Sequence, residues 1–138
     1  MDLVLDSNIL VSGLRSSRGA SHALLQQIAH DDRLRLHVST PVVLEYEEVL
    51  IRELVRSHFT LDQISSFLDD LIARSIRHSS VVRRRPISQD PDDDALIELA
   101  LTSGADALIT HNLSDFTSIN KMGVALLTPG GLLRLLNS

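Results

Sequence analysis

The sequence predicts a single α/β domain, a three-layer α/β/α sandwich around a central parallel sheet. Short apolar runs recur at residues 2–6 (DLVLD), 34–39 (LRLHVS), 107–110 (ALIT) and 124–128 (VALLT). Between them lie longer stretches whose apolar residues repeat at helical spacing. Strands of this kind separated by helices build parallel sheets covered on both faces. With 138 residues and no repeat, low-complexity tract or linker, one domain accounts for positions 1–138.

In chain order, the apolar run of residues 2–6 ends in Asp6-Ser7-Asn8, the exit of a buried strand. Residues 19–31 carry Ala20, Ala23, Leu24 and Ile28 at helical spacing. The alternation in 34–39 reads as a strand, and Ser39-Thr40-Pro41 then opens a helix, with Thr40 as N-cap and Pro41 at its first turn. That helix extends to about His58, with Val42, Tyr46, Val49, Leu50 and Leu54 on one face. Thr60-Leu61-Asp62 opens another, carried by Ile64, Phe67, Leu68, Leu71 and Ile72. Residues 79–82 read as a weak strand, followed by a polar loop over 83–91. A helix from about 91 to 103 ends at Gly104, the two remaining strands follow, and 129–137 form a closing helix.

Composition narrows the chemistry. The absence of cysteine excludes disulfides, thiolate metal sites and a cysteine nucleophile, and fits a reducing cytoplasm. No run is long enough to span a membrane, and the first residues carry neither a signal nor an anchor. A net charge of −5 argues against nucleic-acid binding by bulk electrostatics alone. The charges are segregated, however. Twelve of the thirteen basic residues are arginine, clustered at Arg52/Arg56, Arg74/Arg77 and Arg83–Arg84–Arg85, whereas Asp90 and Asp92–Asp93–Asp94 gather acids.

In open parallel sheets, sites form outside the carboxyl ends of the strands. Asp6 ends the first strand, and Thr110-His111-Asn112 ends a later one, so the two meet there. Asp6 on its own serves equally well as a helix cap. In Asp90-Pro91-Asp92-Asp93-Asp94, capping uses one or two carboxylates, and the segment holds four. Unit charges about 4 Å apart repel by roughly 4 kcal/mol at an effective dielectric of 20. Several acids near Asp6 therefore call for a counter-charge, either arginine or a divalent cation. Glu45 lies at the margin of its helix's apolar face, aimed toward the sheet, while Glu48 is spaced to pair with Arg52.

Taken together, DLVLDSN, STPVVLEYEEVL, DPDDDALIELAL and LITHNLSDF, in that order, resemble the PIN domain, and within it the VapC-like branch of toxin components of bacterial toxin–antitoxin pairs. The resemblance spans nearly the whole chain. It implies a divalent-metal-dependent endoribonuclease, cytoplasmic, using Mg²⁺ or Mn²⁺, with RNA as substrate, an antitoxin protein as partner and a homodimer as its assembly. It assigns Asp6, Glu45 and Asp94 to metal binding and catalysis, with Asp93 in place of Asp94 if the register is off by one. Asn8 accompanies Asp6, and Ser39 begins the motif that ends at Glu45. Thr110 orients a bound water or phosphate oxygen. The family's frequent fourth acid is here Asn112, which keeps a carbonyl oxygen but drops a charge. Asp115, three residues on, either restores that charge or caps the segment that follows. His111 is expected to be exposed and not a ligand. Arg83, Arg84 and Arg85 are candidate RNA contacts, since guanidinium suits phosphate oxygens.

Two other readings stay in view. A PIN-like module that binds RNA or protein without cutting is motivated by the missing fourth acid. A phosphoryl-accepting domain is disfavoured, because Lys121, the only lysine, precedes a strand rather than ending one.

Overall fold

The structure, a computed structural model, describes residues 1–79 and 91–138. Five strands, β1 (Asp2–Leu5), β2 (Arg35–Ser39), β3 (Ile76–His78), β4 (Ala107–Ile109) and β5 (Ala125–Leu127), form one sheet in the order β3-β2-β1-β4-β5. Every pairing is parallel. Leu3 and Val4 point to opposite faces, as do Leu108 and Ile109, and all four are completely buried. The sheet is thus covered on both sides, as an α/β/α sandwich requires.

The helices are α1 (Ser7–Arg15), α2 (Ala20–His30), α3 (Thr40–Leu54), α4 (Leu61–Arg74), α5 (Pro91–Ser103) and α6 (Pro129–Leu136). Helix α1, seen in the sequence only as a capped segment, carries Ile9, Leu10 and Val11 into the core. It packs closely on α2: a Cβ on Gly13 would lie 2.5 Å from Leu25 Cδ1 and 3.3 Å from the Ser21 backbone. The stretch over Leu113–Met122 is a kinked 3₁₀ segment burying Phe116 and Ile119. Among the described residues no helix is long and apolar enough to cross a membrane.

Local signals place most boundaries. Thr60 caps α4 in a full capping box: its hydroxyl accepts from the Gln63 amide, and the Gln63 side chain accepts from the Thr60 amide. Two expectations are corrected. The cap of α3 is Ser39, whose Oγ accepts from the Val42 amide at 3.4 Å, because the helix begins one residue earlier, at Thr40. That helix ends at Leu54 and passes through a 3₁₀ turn to His58, whose φ of 68° cannot continue it. A strand the sequence reading did not mark lies at Ile76–His78, pairing His37 with Ile76 and Ser39 with His78. Ser79 lies beyond it, and residues 80–82, the polar loop and Asp90 lie outside the described residues.

Two features bind the sheet to its surroundings and carry testable consequences. Tyr46 of α3 is fully buried, and its hydroxyl donates to the Leu5 carbonyl at the end of β1. Burial and the nearby Asp6 carboxylate push its phenol up, so it stays a donor. Tyr46→Phe leaves that carbonyl without its donor, a cost of about 1–3 kcal/mol. Denaturant unfolding is expected to show a lowered midpoint with an unchanged slope; an unshifted midpoint would contradict this role.

The second is a chain of polar groups across β1, β2 and β3. Buried His37 places Nε2 2.8 Å from Asp2 Oδ1 and Nδ1 2.9 Å from His78 Nε2, while Arg35 donates to Asp2 Oδ2 at 2.8 Å. The His37 and Arg35 hydrogen bonds hold the Asp2 carboxyl below its ordinary value. Burial, then the His37 charge, depress His78 below 6.5. The unfolded chain therefore protonates at His78 before the folded one does, and stability falls as pH drops below about 6.5. Asp2 adds a loss of the same sign below about 3.8. The melting temperature is expected to decline from pH 7 to 5.5, less steeply in His78→Gln; an equal slope in both proteins would refute the assignment.

Candidate active site

The exits of β1, β2 and β4 fall at one end of the sheet, delivering Asp6, Ser39 and Thr110. Backbone bonds keep two of these exits in step: the Asp6 amide donates to the Ile109 carbonyl at 2.9 Å, and the Thr110 amide to the Leu127 carbonyl at 3.0 Å. A cleft of about 750 Å³ opens there between α1, α3, α5 and the segment after β4. Asp6, Asn8, Glu45, Asp93, Asn112 and Asp115 all line it.

Asp6 is its deepest acid, only 8% exposed. Oδ2 accepts from the Thr110 hydroxyl at 2.7 Å, and the Asn112 amide donates to that same hydroxyl at 3.0 Å. The Ser7 hydroxyl reaches Oδ1 at 3.5 Å. Burial raises the Asp6 carboxyl above the ordinary range, and the hydrogen bonds from Thr110 and Ser7 offset part of that rise. Beside it, Asn8 Oδ1 is buried without a hydrogen-bond partner among the described residues. A buried carbonyl oxygen left in this way is costly unless water or a cation completes it.

The structure places Asp6, Asn8, Glu45, Asn112 and Asp115 on one cleft. The third acid needs a register choice. Asp93 lines the cleft, together with Leu96 one turn on, whereas Asp94 does not. Ser39, 2% exposed, is buried as the α3 cap, and Thr110 is fully buried behind Asp6; neither lines the cleft. Asp115 occupies the first turn of the 3₁₀ segment but also faces the cleft. His111 is exposed as expected, yet its Nε2 lies 2.9 Å from Ser12 Oγ and 3.2 Å from Ser21 Oγ, tying the segment after β4 to α1 and α2. Arg83, Arg84 and Arg85 lie outside the described residues.

Sequence reasoning missed Arg15 and Glu53, which line the cleft together with Arg52 of the Arg52/Arg56 cluster. Arg52 does not take the expected helical pairing with Glu48; its Nε donates to Glu53 Oε1 at 3.3 Å. The signal was present in Arg15, at the end of α1, but only packing of α1 on α3 brings it to Glu53.

The donors on this cleft are carboxylate and amide oxygens, the set hard divalent cations prefer. The unpartnered Asn8 oxygen beside Asp6 fits such an ion. Among the described residues, no three acids or histidines stand close enough together to hold one directly. Mg²⁺ is commonly bound through one or two carboxylates plus retained waters, which this spread of oxygens suits.

A parallel α/β sheet with an acidic cleft at its strand ends is the class of architecture that binds ligands at that end. The PIN domain family model matches residues 2–114, and the chain belongs to that family. Two solved structures share the fold. One is VapBC2 from Rickettsia felis bound to a DNA fragment from their promoter, at 16% identity and TM-score 0.61, covering 93% of this chain and 98% of that one. The other is VapBC-1 from nontypeable Haemophilus influenzae, at 17% identity and TM-score 0.62, covering 94% and 99%. No curated protein matches the sequence at a significant level.

Proposed function

We propose that the chain is a divalent-metal-dependent endoribonuclease, acting as the toxin of a toxin–antitoxin pair, with the strand-end cleft as its active site. The observation that carries this reading is the convergence of Asp6, Asn8, Glu45, Asp93 and Asp115 from separate parts of the sequence on one cleft. In this reading Asp6, Glu45 and Asp93 hold Mg²⁺ or Mn²⁺ directly or through water, and Asn8 supplies a neutral oxygen. The ion, when bound, activates water and stabilises charge on the phosphate. Thr110 fixes the Asp6 carboxylate by its hydroxyl bond, and Asn112 presents an amide where a further acid would bind a second ion more tightly.

Support for the antitoxin partner comes from the two VapBC structures that share the fold. Single-domain organisation over 1–138, a homodimer and a cytoplasmic location complete the proposal. The test is RNA cleavage by the purified protein: it is expected in Mg²⁺ or Mn²⁺ and is silenced by a chelator. RNA bound but left intact in both metals would favour the non-cutting module instead.

A further inference from the structure

The cleft is unevenly charged. Asp6, Glu45, Asp93 and Asp115 line it together with Glu53, and among the described residues Arg15 and Arg52 are the cations that do so. A polyanionic strand is repelled by such a lining unless it meets positive charge at the entrance.

Arg15 and Arg52 stand on the α1 and α3 wall and share a single carboxylate. Arg15 Nη2 donates to the Glu53 carbonyl at 3.1 Å and lies 3.6 Å from Oε2, and Arg52 Nε donates to Oε1 at 3.3 Å. Two guanidiniums against one acid leave a net charge of +1. Arg15 Nε and Nη1 and both Arg52 Nη atoms take no partner among the described residues. The side chains are 49% and 56% exposed, and that of Glu53 38%. Ion pairs so exposed contribute little to stability, although the Arg15 bond to the Glu53 carbonyl also ties α1 to the last turn of α3. The grouping holds two planar forks at the cleft edge with donors to spare, the arrangement that suits phosphate oxygens.

We propose that Arg15 and Arg52, held together by Glu53, form a seat for a backbone phosphate of single-stranded RNA, flanking the phosphate that is cut. This rests on the nuclease reading of the same cleft. The seat stands on the α1 and α3 wall of the cleft, so it governs substrate affinity and leaves the chemical step alone. Glu53 acts as a positioning residue: it fixes both guanidiniums and competes weakly with the incoming phosphate.

The test measures binding of a fluorescently labelled single-stranded RNA across a salt series in a chelator, and KM and kcat for its cleavage in Mn²⁺. Arg15→Ala and Arg52→Ala are expected to weaken binding and raise KM by about tenfold. Each lost phosphate contact also lowers the slope of log K against log salt by about 0.7. kcat stays at its wild-type value in both, and the thermal melt does so in Arg52→Ala. Glu53→Gln is expected to tighten binding, since it removes the competing charge. If wild-type protein cleaves RNA but both arginine variants keep its KM and salt slope, the seat is overturned and the nuclease reading stands. If wild-type protein neither binds nor cleaves RNA, both fall. Competition by poly-L-glutamate as effective as that by RNA of equal charge would mark a carboxylate seat and overturn the phosphate assignment.

Discussion

Asp6→Asn is expected to remove RNA cleavage while leaving the fold intact. Asp6 ends β1, is almost fully buried, and accepts the Thr110 hydroxyl at 2.7 Å, so its carboxylate is held in one orientation at the floor of the cleft. Asn keeps the shape and an oxygen for Thr110, but loses the charge that draws a divalent ion. Loss of a metal's charge stabilisation removes several kcal/mol from the transition state. The rate should therefore fall by roughly 10²–10³-fold or more. Single-turnover cleavage in Mn²⁺ checks the rate, and a thermal melt close to that of the wild type shows the loss is chemical. Wild-type cleavage in this variant would mean that the chemistry sits elsewhere.

The second large effect separates two adjacent acids. Successive helical positions point about 100° apart, so Asp93 and Asp94 of α5 cannot serve the same cleft equally. Asp93 shares its stripe with Leu96, Ile97 and Ala100, three residues that pack against the core. Leu96 lines the cleft beside it, and Asp94 does not reach the wall. Asp93→Asn is expected to reduce cleavage by roughly 10²-fold, a loss of a few kcal/mol. Asp94→Asn should change it by no more than about threefold, less than one kcal/mol. The reverse order would restore Asp94 as the third acid and show that α5 turns when the metal binds. Rates of both variants over a range of Mn²⁺ concentrations decide between them.

Asp6 was legible because a strand's exit is signalled locally, by an apolar run ending in polar residues. The acidic cleft was legible as a set, since four ordered motifs fix which strand ends and helix starts meet. The choice between Asp93 and Asp94 was not, because one residue of helical register leaves motif spacing almost unchanged while rotating the side chain off the wall. The α3 cap slipped by one residue for a similar reason: Ser39 and Thr40 are both good caps, and where β2 ends selects between them. Strand β3 was missed because its Ile76-Arg77-His78 carries little apolar signal; pairing with β2, and the contact of His78 with His37, define it. The Arg15–Glu53–Arg52 group escaped because Arg15 and Glu53 lie 38 residues apart and meet only through packing of α1 on α3.

Metal binding decides whether this cleft works as an active site. Asp6, Glu45, Asp93 and Asp115 line one cleft, and Asn8 Oδ1, without a partner among the described residues, is buried beside Asp6, a set of oxygens that suits a hydrated divalent cation. Titration calorimetry of the wild-type protein with Mn²⁺ tests this most directly. The account predicts saturable binding that Mg²⁺ competes for and that Asp6→Asn abolishes. A wild-type titration without heat or saturation, from protein that still melts cooperatively, would contradict it.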